Sequence, residues 1–345
     1  MRVLVTGGAG FIGHHIVTAL IDDGNEVRIL DSLLPAAWGE STPAVDERAE
    51  FVLGDIRDSD TVRSCLDGVD VVCHQAAMVG LGVDLADLPA YAGHNDLGTA
   101  VVLAGMTAAG VDRLVLASSM VVYGEGRWRC AAHGDVRPGP RDRADLEAGN
   151  FEPRCPRCRE SLAWDLVDES ARLDPRSVYA ATKVAQEHLV SSWQRGMDGS
   201  VVALRYHNVY GPLMPKDTPY SGVAAIFRSS LAKGEPPRVF EDGGQMRDFV
   251  HVDDVARANV LAIGAAVDGF VALNVCSGEP HSVGDMARAL AEAMGGPPPQ
   301  ITAEFRLGDV RHVVASPQQA AEVLGFRAST TFADGMHAFA DAPLR

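Results

Sequence analysis

Long apolar runs are missing from this 345-residue sequence; none approaches the ~18 residues that would read as a membrane-spanning helix. The opening Met1-Arg2 passes directly into Val3-Leu4-Val5, without the charged, apolar and cleavage regions of a secretory signal, so a cytoplasmic location is expected. Basic residues are scarce: 30 Lys and Arg stand against 46 Asp and Glu, a formal net charge of −16. Such a field argues against nucleic acid or an anionic membrane as the main partner. A few well-placed arginines could still form a local phosphate pocket. Six cysteines are too sparse for a disulfide scaffold, and Cys65, Cys73 and Cys276 read as core residues. Repeats and low-complexity segments are absent.

What is present in the first half is alternation. Apolar runs at Arg2–Thr6, Glu26–Leu30, Val69–His74 and Arg113–Ser118 are separated by helical patterns at Phe11–Asp23 and about Leu97–Ala109. This predicts an α/β fold of Rossmann type, a doubly wound parallel sheet with helices on both faces, with Val201–Leu204 as a late strand. After about Asn208 the elements shorten, with helices expected at Val223–Lys233 and Asp253–Ala265 and a short strand at Arg238–Phe240. Ser282 and Asp285 form a capping-box pattern for a further helix reaching about Met294. The expected division is a dinucleotide-binding domain over 1–205 and a smaller α/β substrate domain over 206–345, partly interleaved with the first.

The segment Thr6-Gly7-Gly8-Ala9-Gly10-Phe11-Ile12-Gly13 follows a strand and opens a helix. Gly7, Gly10 and Gly13 suit a tight turn, close approach of backbone to a pyrophosphate, and close helix–strand packing. The helix start at Phe11 and Ile12 offers free N–H groups and a positive dipole end. Asp31, at the end of the second strand, can accept hydrogen bonds from an adenosine ribose and would repel a 2′-phosphate, favouring NAD over NADP. Asp55 and Ile56, in Asp55-Ile56-Arg57-Asp58, could grip an adenine edge or simply form a capped turn.

Tyr179-Ala180-Ala181-Thr182-Lys183 places a phenol and an ammonium on one helix face. The ammonium, together with a positive nicotinamide ring, would bring the phenol down towards the range of a general base. Pro175 suits the helix start. Upstream, Leu114–Ser119 is a strand ending in two serines, and ligands of open α/β sheets bind at that edge.

In order along the chain stand TGGAGFIG (6–13), DIRD (55–58), HQAA (74–77), SSMVVYG (118–124), YAATK (179–183), LRYHNVYGP (204–212) and RDFVHVDD (247–254). Together they resemble the extended short-chain dehydrogenase/reductases that modify nucleotide sugars, the family of UDP-galactose 4-epimerase. The resemblance covers nearly the whole chain and implies Ser119, Tyr179 and Lys183 as the catalytic set. It also implies Ala76 and Asn95 at the coenzyme side, Asn95 bracing the active-site helix. Ser119, Asn208, Arg247 and Arg306 would hold the sugar nucleotide, with Phe240 against its base, and a homodimer would form through helices of the sheet domain.

Within that family, dehydratases carry Asp-Glu after the catalytic Ser/Thr, decarboxylases keep Glu at the second of these positions, and 3,5-epimerases use Cys there. Met120 and Val121 can move no proton. This leaves C4 epimerisation of a dTDP- or UDP-hexose. Alternatives are a 4,6-dehydratase or 4-ketoreductase, or a cofactor-binding regulator, against which the retained Tyr179 and Lys183 count. The apolar segment Met78–Val83 would line the sugar side and suit a 6-deoxy methyl, or serve as ordinary core.

Glu125 to about Asp168 interrupts the sheet pattern with Arg, Pro, Gly and Cys. In it, Cys130-Ala131-Ala132-His133 and Cys155-Pro156-Arg157-Cys158 match the two hooks of a closed, structural zinc site. Metal binding would supply the ordering free energy that so few apolar residues cannot. This inserted version is similar to bacterial enzymes grouped as dTDP-L-rhamnose 4-epimerases.

Overall fold

A computed structural model describes residues 1–345 except 39–42, 44, 81–84, 217, 219–220 and 266, and the side chains of residues 36 and 37. The first half runs β1 (Arg2–Thr6), α1 (Phe11–Asp22), β2 (Glu26–Asp31), α2 (Pro35–Trp38), β3 (Glu50–Leu53), α3 (Ser59–Cys65) and β4 (Val71–His74). It continues through α4 (Leu88–Tyr91), a π-helical turn (Ala92–Leu97), α5 (Gly98–Ala109) and β5 (Arg113–Ser119). The insertion contributes β6 (Arg127–Cys130), β7 (Gly134–Val136), α6 (Arg143–Glu147) and β8 (Ala163–Asp165). Then come α7 (Val178–Met197), β9 (Ser200–Tyr206), β10 (Asn208–Tyr210), α8 (Val223–Ala232), β11 (Arg238–Val239) and β12 (Met246–His251). The chain ends with α9 (Val252–Gly264), β13 (Gly269–Val275), β14 (Pro280–Ser282), α10 (Val283–Ala293), β15 (Gln300–Ile301), α11 (Gln318–Leu324) and α12 (Phe332–Asp341).

Seven strands form one parallel sheet in the order β13-β9-β5-β4-β1-β2-β3. Alternation along β1 explains the double winding. Val3 and Val5 pack with Ile16 and Leu20 of α1 and Val255 of α9 on one face, while Leu4 packs with Val62 of α3, Val102 of α5 and Val190 of α7 on the other. The seventh strand, β13, has no counterpart in the sequence pattern. It arrives from the C-terminal half and pairs with β9 along its whole length, Gly269 opposite Ser200 and Val275 opposite Tyr206.

A smaller layer holds β10, β12 and β14, with a separate core of Phe227, Phe249, Met286, Leu290 and Phe339. The capping box at α10 is formed, Ser282 Oγ accepting from Asp285 N (2.9 Å) and Asp285 accepting from Ser282 N (2.9 Å). The insertion is a three-stranded antiparallel sheet in the order β7-β6-β8. It leaves after Tyr123 and returns before α7, where Asp174 N donates to the Val122 carbonyl (2.8 Å), so its two ends lie side by side. Pro175 does not start α7; Ser177 caps it, accepting from Ala180 N (3.2 Å).

Candidate active site

A cavity of about 460 Å³ opens at the C-terminal edge of the large sheet. Gly7, Gly10, Phe11, Ile12, Gly13, Asp31, Asp55, Ile56, Ala76, Ser119, Tyr179, Lys183 and Asn208 all line it. Gly7 has φ +72°, and a Cβ there would lie 2.6 Å from Ala76 N; one on Gly13 would overlap the Gly7 carbonyl. Side chains are therefore barred from the turn, and the space stays open to a ligand. Gly10 caps α1 without a side-chain bond, leaving first-turn N–H groups for anionic oxygens. The donor set and the cleared cradle fit a dinucleotide.

Asp31 accepts from Ala9 N (3.1 Å) and Leu33 N (2.9 Å), and burial raises its carboxyl above the usual range. Beside it are two residues that local sequence did not signal. Trp38 lines the cavity, and the Arg345 guanidinium lies 4.0 Å over its ring. Asp55 pairs with Arg57 (2.6 Å) and accepts from Arg57 N (2.9 Å), so the turn is capped while the Asp55–Ile56 pair also faces the cavity.

Asn95 is wholly buried in the π-helical turn and does not line the cavity. It accepts from Met78 N (2.7 Å) and donates to Met78 O (2.9 Å) and Thr182 Oγ1 (2.9 Å), joining the cavity wall to α7. Met78 and Val79 line the cavity, whereas positions 81–83 of the apolar segment lie outside the described residues. His74 bridges Thr6 Oγ1 (2.7 Å) and Thr99 Oγ1 (3.0 Å), and burial holds it neutral, its pKa lowered to about 3. His207, also in the lining and unsignalled, is likewise lowered to about 3 by burial.

The two serines of β5 are separated by geometry. Ser118 donates to Glu187 (2.5 Å), which also pairs with Arg205 (2.7 Å), so its hydroxyl is turned to the buried side. Ser119 faces the cavity, which Tyr179 also lines. Lys183 Nζ donates to the Ala117 carbonyl (2.8 Å) and sits 5.8 Å from the Tyr179 ring centre. The electrostatics differ from the expected lowering. Burial pushes the Tyr179 phenol up, with the Ser119 side chain opposing it. Burial also pulls Lys183 down to about 7, against Glu187 and Asp96. Desolvation outweighs the neighbouring amine because both charged forms lose water.

The phosphate-side residues fall in two places. Asn208 lines the cavity, and its Oδ1 is buried without a protein partner among the described residues. Arg247 is instead turned onto main-chain carbonyls, those of Met246 (2.8 Å), Val310 (2.8 Å) and Arg311 (2.9 Å), and does not line the cavity. Arg306 lies 4.9 Å over the Phe240 ring, also outside the lining.

In the insertion, the ligand atoms of Cys130, His133, Cys155 and Cys158 lie within 4.8 Å of one another. Cys130 Sγ is 3.4 Å from His133 Nδ1 and 3.6 Å from Cys158 Sγ; Cys155 Sγ is 3.5 Å from His133 Nδ1. With metal–sulfur bonds of about 2.3 Å and metal–nitrogen bonds of about 2.0 Å, a tetrahedron has edges of roughly 3.5–3.8 Å, so the set fits a zinc ion.

The family model described as NAD dependent epimerase/dehydratase family matches residues 3–156 and 163–276. A dTDP-L-rhamnose 4-epimerase of Burkholderia thailandensis is 34% identical over 94% of this chain and 90% of its own. A UDP-glucose 4-epimerase of Mycolicibacterium smegmatis is 32% identical over 97% of this chain and 96% of its own. Among solved structures, Thermus thermophilus UDP-glucose 4-epimerase in complex with NAD has a TM-score of 0.78 and 32% identity, covering 99% of this chain and 98% of that one. The Thermotoga maritima UDP-glucose 4-epimerase with UDP-glucose has a TM-score of 0.80 and 28% identity, covering 99% and 98%.

Proposed function

The chain belongs to the NAD dependent epimerase/dehydratase family, and from that membership we propose the chemistry its own residues perform. It is an NAD-dependent nucleotide-sugar 4-epimerase. The observation that carries the assignment is the convergence of Ser119, Tyr179 and Lys183 on the cavity that the glycine turn keeps open.

We assign the turn from Gly7 to Gly13, Asp31, and Asp55 with Ile56 to holding NAD, which when bound supplies reversible hydride exchange with C4 of the hexose. Tyr179 takes the proton from the C4 hydroxyl and returns it after the 4-ketose has turned over. Ser119, in the same cavity lining as Tyr179, is assigned to hydrogen-bond the C4 oxygen and assist the proton transfer. Lys183 adds positive charge beneath the phenol, and a positive nicotinamide ring adds to it, offsetting the desolvation that raises Tyr179. Asn95 holds the wall and the helix in register. Met120 and Val121 offer no further acid or base, consistent with chemistry that eliminates nothing.

The sugar nucleotide, dTDP- or UDP-linked, is assigned to Asn208 and to the group of Phe240, Arg247 and Arg306. By this reading residues 1–205 serve the coenzyme and 206–345 the substrate, partly interleaved with the first through β13 and Arg345. We assign a structural zinc to Cys130, His133, Cys155 and Cys158, whose closed set leaves no position for substrate. A cytoplasmic location accords with thiol ligands that must stay reduced. A homodimer through helices of the large sheet is supported by exposed Leu88 and Leu97.

The test is incubation with a panel of UDP-, dTDP- and GDP-hexoses, read by NMR for inversion at C4. Tyr179→Phe should lower kcat by about 10²–10⁴; full turnover in that variant would refute the assigned base.

A further inference from the structure

Outside the cavity, the Arg311 side chain gathers three carboxylates. Its guanidinium is 2% exposed and pairs with Glu241 (2.8 Å), Asp242 (2.8 Å) and Glu152 (2.8 Å). Glu152 belongs to the insertion. A second carboxylate, Glu125 at the insertion's entry, accepts from Arg311 N (3.1 Å). A third link runs from Arg141, also in the insertion, to Glu241 (2.8 Å) and to the Asp309 carbonyl (2.7 Å).

The neighbouring residue repeats the pattern. His312 Nε2 lies 3.0 Å from Glu152, and its ring packs 5.2 Å from Trp128. Trp128 is buried in the same small core as Cys130 and Cys155. On its other side His312 Nδ1 accepts from Met246 N (2.8 Å). The segment so gripped, 309–312, supplies the Val310 and Arg311 carbonyls that aim Arg247, and follows Arg306, which stacks on Phe240.

We propose that the insertion is a positioning clamp for the nucleotide end of the substrate site, acting through Glu152 and the positioning residue Arg311. The inference rests on the assignment of Phe240, Arg247 and Arg306 to the sugar nucleotide. The clamp touches neither coenzyme nor reacting carbon. It fixes segments 240–242 and 306–312 relative to each other, so the site does not have to be ordered by the ligand. An arrangement set in advance binds more tightly than one that must be ordered on binding.

The experiment uses the full chain with its coenzyme. Glu152→Gln keeps volume and removes one half-exposed charge, leaving Glu241 and Asp242 on Arg311. Calorimetry with UDP and with dTDP should show Kd raised about fivefold, and KM for the nucleotide sugar should rise equally. Saturated kcat and bound NAD should stay within about twofold, because Ser119 and Tyr179 are untouched. Amide exchange over residues 306–313 should quicken. Cys158→Ser, at the exposed ligand, should reproduce the KM rise together with loss of metal. Unchanged nucleotide Kd and unchanged exchange in Glu152→Gln, in a chain whose wild type inverts C4, overturn the clamp alone. A wild type that binds neither nucleotide and inverts nothing overturns the functional assignment and the clamp with it.

Discussion

The large sheet and the insertion keep their shapes by different means. The sheet buries aliphatic side chains on both faces, Val3, Val5 and Ile29 on one and Leu4, Leu30 and Leu114 on the other. The insertion's small core of Trp128, Cys130, Cys155 and Leu162 includes two of the four candidate metal ligands. In the sheet the binding cradle is main chain held by a frame that folds for other reasons. In the insertion, Cys130 and Cys155 belong both to the small core and to the candidate ligand set, so order and metal binding are expected to be coupled.

The difference is sharpest where a single atom is added to the frame. Gly13→Ala should weaken dinucleotide binding on the order of 100-fold, measured by retained NAD, while metal content is unchanged, because the new Cβ overlaps the Gly7 carbonyl. Cys155→Ser is the reverse case. Metal content should fall to background and amide protection over β6–β8 should fall at least about tenfold, while protection in β1, β4 and β5 holds. Matched loss of protection in both regions would break the comparison.

Lys183→Met probes the frame's stored cost. A buried ammonium lowered from 10.5 to about 7 destabilises the fold fully below pH 7. That cost fades as pH rises from 7 towards 10.5, where the unfolded chain also loses its proton. The variant should therefore lose activity yet gain stability at pH 6, the gain shrinking by pH 10 in denaturant titrations. The smallest effect is expected at Asp145→Asn on the insertion's surface. Its pairs with Arg154 (3.3 Å) and Arg159 (3.5 Å) are solvent-screened, and stability should shift by less than about 0.5 kcal/mol in the same titration.

Legibility in the sequence followed range. The glycine turn, the Tyr179–Lys183 pair, the capping box at Ser282 and the two cysteine hooks each span a few residues, and their chemistry is local. β13 was missed because Gly269–Val275 lies beyond the change of texture after Asn208, and only pairing with distant β9 makes it part of the large sheet. The aim of Arg247 was hidden for the same reason, since its acceptors Val310 and Arg311 lie more than 60 positions away. The choice of Ser119 over Ser118 came from resemblance. Its physical ground, Glu187 taking the Ser118 hydroxyl, is visible only in three dimensions. Trp38 and Arg345 meet across nearly the whole chain, and no motif marks either.

The neighbouring ends of the insertion, joined where Asp174 N meets the Val122 carbonyl, make it a portable unit. Its two junctions are adjacent, so a short turn could bridge them without moving β5 or α7. Excision would then spare the sheet and its cradle while depriving the 309–312 segment of Glu125, Arg141 and Glu152 in one cut.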